Sequence, residues 1–458
     1  MRKVPVKEAS FSGSWVGIIK ITDATGIRVM ININKQMDGR LSATLDCLDQ
    51  GTMSIRVDLI SLIKKKLRFV IEKIGVEFVG QIDKVGKQCS GEWRQHGLVV
   101  PLKLIAVDHP EIYFSRPQTP SPPFPYHQEQ INFESNEHGV TLAGTLTLPD
   151  TKVPFPTVLL ISGSGAHDRD CTAFGHKPFL ILADYLTRNG IATLRFDDRG
   201  VGDSTGNRSN FTSLDLANDV LGGVRFLLNQ KNFEVNRIGL LGHSEGATVA
   251  ALTTGNCNNI SFLILMAAPG LPGEKILEMQ RLLIHQGIGT RPELIEWEEN
   301  LLRRLTEVLY NESNNLIAEA AMEKIIQMEI EAIPQDSFNG MAGVCPILLA
   351  EASLMRTSWF RHFLIFDPRQ ALSKVQCPVL VMSGSLDIQV PSTPNLMEVE
   401  RALLSAGNTN VTAVELPGLN HLFQQSLSGM PLEYGEIEET IAISALNFIK
   451  DWIFKVAQ

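Results

Sequence analysis

Residues 236–255 read NRIGLLGHSEGATVAALTTG, and the reading of this stretch decides the fold. Ile238–Leu241 is a short apolar run, GHSEG (242–246) is a glycine-flanked turn, and the residues from Ala247 make a good helix start. Strand, sharp turn and helix form the setting in which a Gly-x-Ser-x-Gly serine is pushed clear of a sheet. Gly242 and Gly246 suit that turn because a side chain at either place would clash with the tight backbone or the closely packed helix. The new helix aims its first N–H groups at the same spot. The pattern also occurs at GDSTG (202–206), but there it follows DDRGV and runs into NRSNF, all loop. Ser244 is therefore the candidate nucleophile, and Ser204 reads as a turn residue bonded to nearby backbone.

Working outward, the same rhythm recurs. FPTVLLISGSG (155–165) is an apolar strand entering a Gly-rich turn, KPFLILADYLTRNG (177–190) a helix, IATLRFDDRG (191–200) a strand and SLDLANDVLGGVRFLLNQ (213–230) a helix. SFLILMAAPG (261–270), PVLVMSG (378–384) and VTAVEL (411–416) are further strands. Alternating β and α with uniformly apolar strands predicts a parallel sheet covered on both faces. Between about 271 and 370 the rhythm gives way to long helical patterns, which read as a cap inserted over the C-terminal edge of the sheet.

A serine hydroxyl is a weak nucleophile until a histidine takes its proton, and that histidine needs a carboxylate to orient it. The chain order in this kind of sheet is Ser, acid, His. Asp387 sits in the turn after PVLVMSG, and His421 in the loop after the last strand, leaving room for one helix (395–407) and one strand between them. Both fall at strand C-terminal ends, on the rim expected for Ser244. Glu415 is a weaker rival to Asp387, because it lies on a strand. The oxyanion of an acyl-transfer intermediate needs two N–H donors. These are assigned to the backbone of Glu245 and, within ISGSGAHDRD (161–170), of Ser164, with Gly163 and Gly165 as alternatives. His243 and His176 read as packed structural histidines, and Asp197, Asp198 and Arg199 as salt-bridge partners tying a loop to the sheet. RGVGDSTG lacks the lysine of a phosphate-binding loop.

Residues 1–108 differ. Alternating runs such as GIRVMINI (26–33), RLSATLD (40–46), SIRVDLI (54–60) and EFVGQID (77–83), with an Asp38-Gly39 hairpin signal, predict a small antiparallel barrel or sandwich. Trp15 and Trp93 read as core residues of its early and late strands. HPEIYFSRPQTPSPPFPY (109–126) carries six prolines and reads as a semi-rigid linker. The expected organisation is thus an all-β domain (1–108), a linker (109–130) and an α/β domain (131–458). The net charge of −9 argues against a nucleic-acid partner. Six cysteines with no metal-site spacing read as reduced thiols. The N-terminus lacks the apolar core of a signal peptide, which reads as a cytoplasmic chain, and no apolar run is long enough to span a membrane.

SGSGAHDRD, GHKPFLILADYL, RFDDRGVGDSTG, GHSEG, SWFRHFLIFDP (358–368), GSLDIQVP and LNHLFQ together resemble the bacterial α/β-hydrolase carboxylesterases of the EstD type. GSWVG, DGRLSATLDCLDQG and GEWRQHG resemble the β domain that precedes the hydrolase in that family. The resemblance implies an α/β-hydrolase fold with a helical cap, preceded by an all-β domain. It further implies hydrolysis of short-chain acyl esters by Ser244, Asp387 and His421, with no cofactor or metal and a small-molecule ester as substrate. A homodimer is compatible with it. Relatives of this domain also act as peptidases or lysophospholipases. The same triad would therefore serve an aminopeptidase, a dipeptidyl-peptidase-like enzyme or a thioesterase, with Glu296, Glu298 or Glu299 of the cap available to meet a substrate ammonium. A glycan-binding role for the β domain is the remaining reading, and no exposed aromatic row in residues 1–108 supports it.

Overall fold

The computed structural model describes residues 12–20, 26–36, 38–48, 52–95, 98–109, 115–151, 154–230, 235–332 and 354–457. The chain forms two compact units: residues 1–115 with 173–175 and 320–352, and residues 116–172 with 176–319 and 353–458.

In the first unit the strands are β1 (Gly13–Lys20), β2 (Gly26–Lys35), β3 (Leu41–Cys47), β4 (Thr52–Arg56), β5 (Leu59–Ile63), β6 (Lys66–Ile71), β7 (Val76–Ile82), β8 (Gln88–Gln95) and β9 (Leu98–Val107). They form one antiparallel sheet in the order β4-β3-β2-β1-β9-β8-β7-β6-β5. Period-2 alternation places Val29, Ile31 and Ile33 of β2 and Leu67, Phe69 and Ile71 of β6 in one core with Trp15 and Trp93. Both tryptophans are buried, as their setting predicts. The run 54–60 is not one strand. It breaks at Val57-Asp58, where Val57 N–H bonds Ala43 O of β3 and Asp58 N–H bonds Val70 O of β6, each at 3.0 Å. This corner ties the two flanks of the sheet together and curls it around its core. The Asp38-Gly39 turn forms as expected, with Gly39 at φ 82°.

The second unit contains β10 (His127–Glu134), β11 (Thr141–Leu148), β12 (Phe155–Ile161), α1 (Pro178–Arg188), β13 (Ala192–Phe196), α2 (Ser213–Leu228), β14 (Val235–His243), α3 (Glu245–Thr254) and β15 (Ile260–Met266). The helices α4 (Gly273–Ile288), α5 (Pro292–Asn311), α6 (Asn315–Ala332), α7 (Ser358–Ile365) and α8 (Arg369–Leu372) follow; the division between the units falls within α6. Then come β16 (Val379–Gly384), α9 (Ser392–Ser405), β17 (Val411–Leu416) and α10 (Ile443–Val456).

The sheet order is β10-β11-β13-β12-β14-β15-β16-β17. From β13 to β17 every pairing is parallel, but β10 and β11 pair antiparallel with each other, and β11 with β13. The sheet is therefore mixed rather than wholly parallel. The cause is local. Ser135 N–H bonds Val140 O at 2.8 Å and Gly139 takes φ 84°, a turn far too short for a parallel crossover. Helices cover both faces. Leu159 and Ile161 of β12 pack in one core with α2, α3 and α9, while Val158 and Leu160 pack in the other with α1 and α10.

The proline-rich stretch is strapped to this unit from Arg116 onward. Arg116 donates to Gly435 O at 2.8 Å, Gln118 donates to Ile441 O at 2.7 Å, and the Tyr126 hydroxyl donates to Asp184 of α1 at 2.8 Å. β10 begins at His127, inside the stretch 109–130. In the cap, α5 buries a stripe of Leu301, Leu302, Leu305 and Leu309. α4 lies on α7 at near backbone contact, since a Cβ on Gly273 would fall 2.3 Å from Phe363 O. Residues 333–353 of the expected cap, with Cys345, lie outside the described residues. No helix among the described residues is long and apolar enough to cross a membrane.

Candidate active site

Ser244 stands between the end of β14 and the start of α3 at φ 56°, ψ −122°, a conformation costly for a residue with a Cβ. Neighbouring pairings hold it there: Ser244 N–H bonds Met266 O at 2.8 Å, and Ala247 N–H bonds Ser244 O at 2.9 Å. The flanking glycines have no room for a side chain. A Cβ on Gly242 would fall 2.1 Å from Gly246 O, and one on Gly246 would fall 2.3 Å from Ile161 O. The strand–turn–helix read from the sequence is what forms.

Asp387 lies in a turn closed by its own N–H to Gly384 O at 3.0 Å. One carboxylate oxygen accepts from Gln389 N–H and Val390 N–H, both at 2.9 Å. The other lies 2.8 Å from His421 Nδ1, and neither side chain is more than 7% exposed. Because a carboxylate accepts, Nδ1 carries the proton and Nε2 presents its lone pair. His421 sits in a loop tied by Asn420, whose side-chain oxygen accepts from Leu422 N–H and Gln424 N–H at 3.0 Å. A link to the elbow comes from His243, whose Nε2–H donates to His421 O at 2.8 Å, with the rings 4.8 Å apart. Burial, with His421 and His167 adding to it, pushes the His243 imidazole down to about 3, so it stays neutral. It is thus a packed, hydrogen-bonded histidine at the heart of the site.

Glu245 is the first residue of α3, where a backbone N–H has no acceptor one turn back. Its side chain is buried and accepts from the Ser213 hydroxyl at 2.7 Å and from Trp359 Nε1–H of α7 at 2.9 Å. This contact between the elbow and the cap has no local signal in the sequence. A second cap contact reaches the acid turn, where Gln280 of α4 lies 3.4 Å from Gln389.

The turn after β12 abuts the nucleophile, since a Cβ on Gly163 would fall 3.3 Å from Ser244 Cβ. Ser164 and Gly165 are exposed, and Gly165 takes φ 120°. His167 Nε2–H donates to Ser164 O at 2.9 Å. Arg208 donates to Gly165 O. Asp198 accepts from the Ser162 hydroxyl at 2.7 Å and from His167 N–H at 3.0 Å. Burial pushes the Asp198 carboxyl up, with these donors opposing it. Neither His167 nor Arg208 was singled out by its spacing.

The remaining candidates are held in structural contacts. The Ser204 hydroxyl is buried, donating to Asp197 O at 2.7 Å and accepting from Ala143 N–H at 2.9 Å. Glu415 accepts from the Ser392 hydroxyl at 2.5 Å. Asp197 pairs with Arg169 at 2.6 Å, Arg199 with Asp219 at 2.8 Å and Asp198 with Arg208 at 3.4 Å. His176 is buried between Thr440 Oγ1 and Tyr434 O, at 2.7 and 2.8 Å. Among the described residues there is no cluster suited to a metal ion, and Cys47, Cys89, Cys171, Cys257 and Cys377 are unbridged.

The chain is 26% identical over 339 residues to Esterase EstD of Thermotoga maritima, covering 72% of this chain and 70% of that one. It is 23% identical over 254 residues to an uncharacterised 31.7 kDa protein of the traX-finO intergenic region of Escherichia coli, covering 54% and 77%. Among solved structures, the Pyrococcus furiosus esterase Pf2001 aligns over 72% of this chain and 90% of its own, at 14% identity and a TM-score of 0.45. Residues 176–425, more than half of the chain and all of the stretch from the elbow to His421, match the family described as Serine aminopeptidase, S33. With its mixed sheet, helix-covered faces and strand–serine–helix turn, the chain belongs to this family of α/β-hydrolases.

Proposed function

We propose that the protein is a serine carboxylesterase acting on short-chain acyl esters. Ser244 attacks the acyl carbon while His421 Nε2 takes its proton. Asp387 stabilises the resulting imidazolium, and the Glu245 and Ser164 N–H groups receive the oxyanion. His421 then protonates the departing alcohol, leaving the acyl group on Ser244. Water attacks this ester, giving a proton to His421, and the acid leaves as the proton returns to Ser244. No cofactor enters the cycle.

The observation that carries this reading is the buried Asp387–His421 pair, 2.8 Å apart, with the His421 carbonyl hydrogen-bonded to the residue preceding Ser244. The likeness to Esterase EstD supports ester over amide substrates. An aminopeptidase would present a carboxylate to a substrate ammonium. Of the cap candidates, Glu298 lies 2.8 Å from His285, and Glu296 and Glu299 are exposed on α5. The β unit is then a structural or dimerising module.

The test is a substrate panel of p-nitrophenyl acyl esters of increasing chain length beside aminoacyl p-nitroanilides. Turnover of acetyl to butyryl esters with little anilide cleavage is expected. Faster cleavage of the anilides would transfer the assignment to the peptidase reading.

A further inference from the structure

A turn that supplies an oxyanion donor has to hold one orientation before the substrate arrives, because reorganising a dipole during the reaction forfeits its benefit. The turn 163–165 is poorly suited to rigidity on its own, with two glycines in three residues and with Ser164 and Gly165 exposed. Yet two of its carbonyls are held individually. His167 Nε2–H binds Ser164 O at 2.9 Å, and Arg208 binds Gly165 O. Peptide units are planar and trans, so fixing Ser164 O orients the N–H of Gly165, fixing Gly165 O orients that of Ala166, and the Ser164 N–H is left next to a turn held from its C-terminal side.

We propose that His167 is a positioning residue for the oxyanion turn, clamping the Ser164 carbonyl, and with it the Gly165 N–H of the same peptide unit, so that the turn carrying the Ser164 donor keeps one shape beside Ser244. This inference rests on the serine-hydrolase reading and names a further residue on which it depends. The ring is well placed for the task. Its own backbone is pinned in both directions to Asp198, two residues beyond β13, with His167 N–H to Asp198 Oδ2 and Asp198 N–H to His167 O, both at 3.0 Å. The other Asp198 oxygen holds Ser162, so one buried carboxylate braces both ends of the turn. Arg208 is braced in turn, lying over the Phe211 ring at 4.4 Å and 3.4 Å from Asp198. His167 also lies under Gly165, where a Cβ would fall 3.1 Å from Nε2. Because a carbonyl only accepts, Nε2 carries a proton whether the ring is neutral or charged, and the clamp persists in either state.

The experiment compares the full chain with His167→Ala and His167→Gln. It measures kcat and KM on p-nitrophenyl butyrate, the inhibition constant of an alkyl boronic acid that forms a tetrahedral adduct with the serine, and Tm. His167→Ala should lower kcat about 10–100-fold with KM nearly unchanged, and weaken the boronate by a similar factor. His167→Gln offers an amide N–H at nearly the same reach and should recover most of both. The proposal is overturned if His167→Ala keeps kcat within about twofold of the parent, or if boronate affinity is untouched while kcat falls, or if His167→Gln is as impaired as His167→Ala at an unchanged Tm. Fluorophosphonate labelling of Ser244 in the parent keeps the two levels apart. A parent that is not labelled removes the serine-hydrolase reading itself, whereas a labelled parent with indifferent His167 variants removes only the clamp.

Discussion

Nε2 of His243 lies 2.8 Å from the carbonyl oxygen of His421, joining the residue before the candidate nucleophile to the backbone of the candidate base. The contact spans 178 residues and couples the elbow to the last loop. Replacing His243 by Leu removes the donor and leaves a buried carbonyl unpaired. The expected result is a kcat reduced about 10–100-fold through misplacement of His421, with His243→Gln retaining more activity. Steady-state kinetics of the two variants checks this, and equal activity in His243→Leu and the parent would show that the contact is incidental.

Ser204 bears the same sequence motif as Ser244, and the two serines are predicted to fail in opposite ways. The Ser204 hydroxyl bridges Asp197 O and Ala143 N–H inside the protein. Ser204→Ala leaves that N–H buried without a partner, at a cost of about 1–3 kcal/mol, while kcat stays near the parent value. Denaturant unfolding and an ester assay on the same preparation separate the effects.

His176 should make stability depend on mild acid. Burial, reinforced by Arg116, depresses its imidazole from the ordinary 6.5 to about 4, with the ring held neutral between Thr440 and Tyr434. The unfolded chain takes up a proton near 6.5 that the folded chain refuses. The stabilisation is therefore complete above that pH and is lost as pH falls toward 4, amounting to about 3 kcal/mol for this group. Tm measured between pH 7 and 4 should fall less steeply in His176→Asn than in the parent, even if the variant starts lower. His243, depressed in the same direction, preserves part of the slope in both proteins. Parallel curves would contradict the assignment.

Trp359 donates to Glu245 while its ring stacks on Phe363, 5.7 Å between centroids and 6° from parallel. Trp359→Phe keeps a ring but deletes the donor to a buried carboxylate, and should cost about 1–3 kcal/mol. Trp297 of α5 is the internal control, since its buried indole N–H has no hydrogen-bond partner among the described residues. Trp297→Phe should cost less, because no buried acceptor is orphaned. Chemical unfolding of both variants decides this.

What was legible in the sequence had a short range or a fixed order. The elbow could be read because an apolar strand, two glycines and a helix start all fall within 20 residues, and steric demand leaves few other ways to fold them. Asp387 and His421 could be placed because each follows an apolar strand in an α/β rhythm. Three things escaped. The antiparallel pairing of β10 and β11 was hidden because β10, HQEQINFE, is mostly polar with a single buried residue and carries none of the apolar signal of the strands that follow. The break at Val57-Asp58 was hidden because the alternating pattern passes through the corner without interruption. The Glu245–Trp359 and Arg208–Gly165 contacts were hidden because they join residues 114 and 43 positions apart through side chains that read locally as ordinary surface or helix residues.

Ser244, and not Ser204, is proposed to carry the acyl group. Labelling the intact protein with a fluorophosphonate and mapping the adduct by peptide mass spectrometry tests it most directly. One modified peptide, containing Ser244, is expected, with labelling abolished in Ser244→Ala and retained in Ser204→Ala. An adduct on any other residue, or ester hydrolysis persisting undiminished in Ser244→Ala, would contradict it.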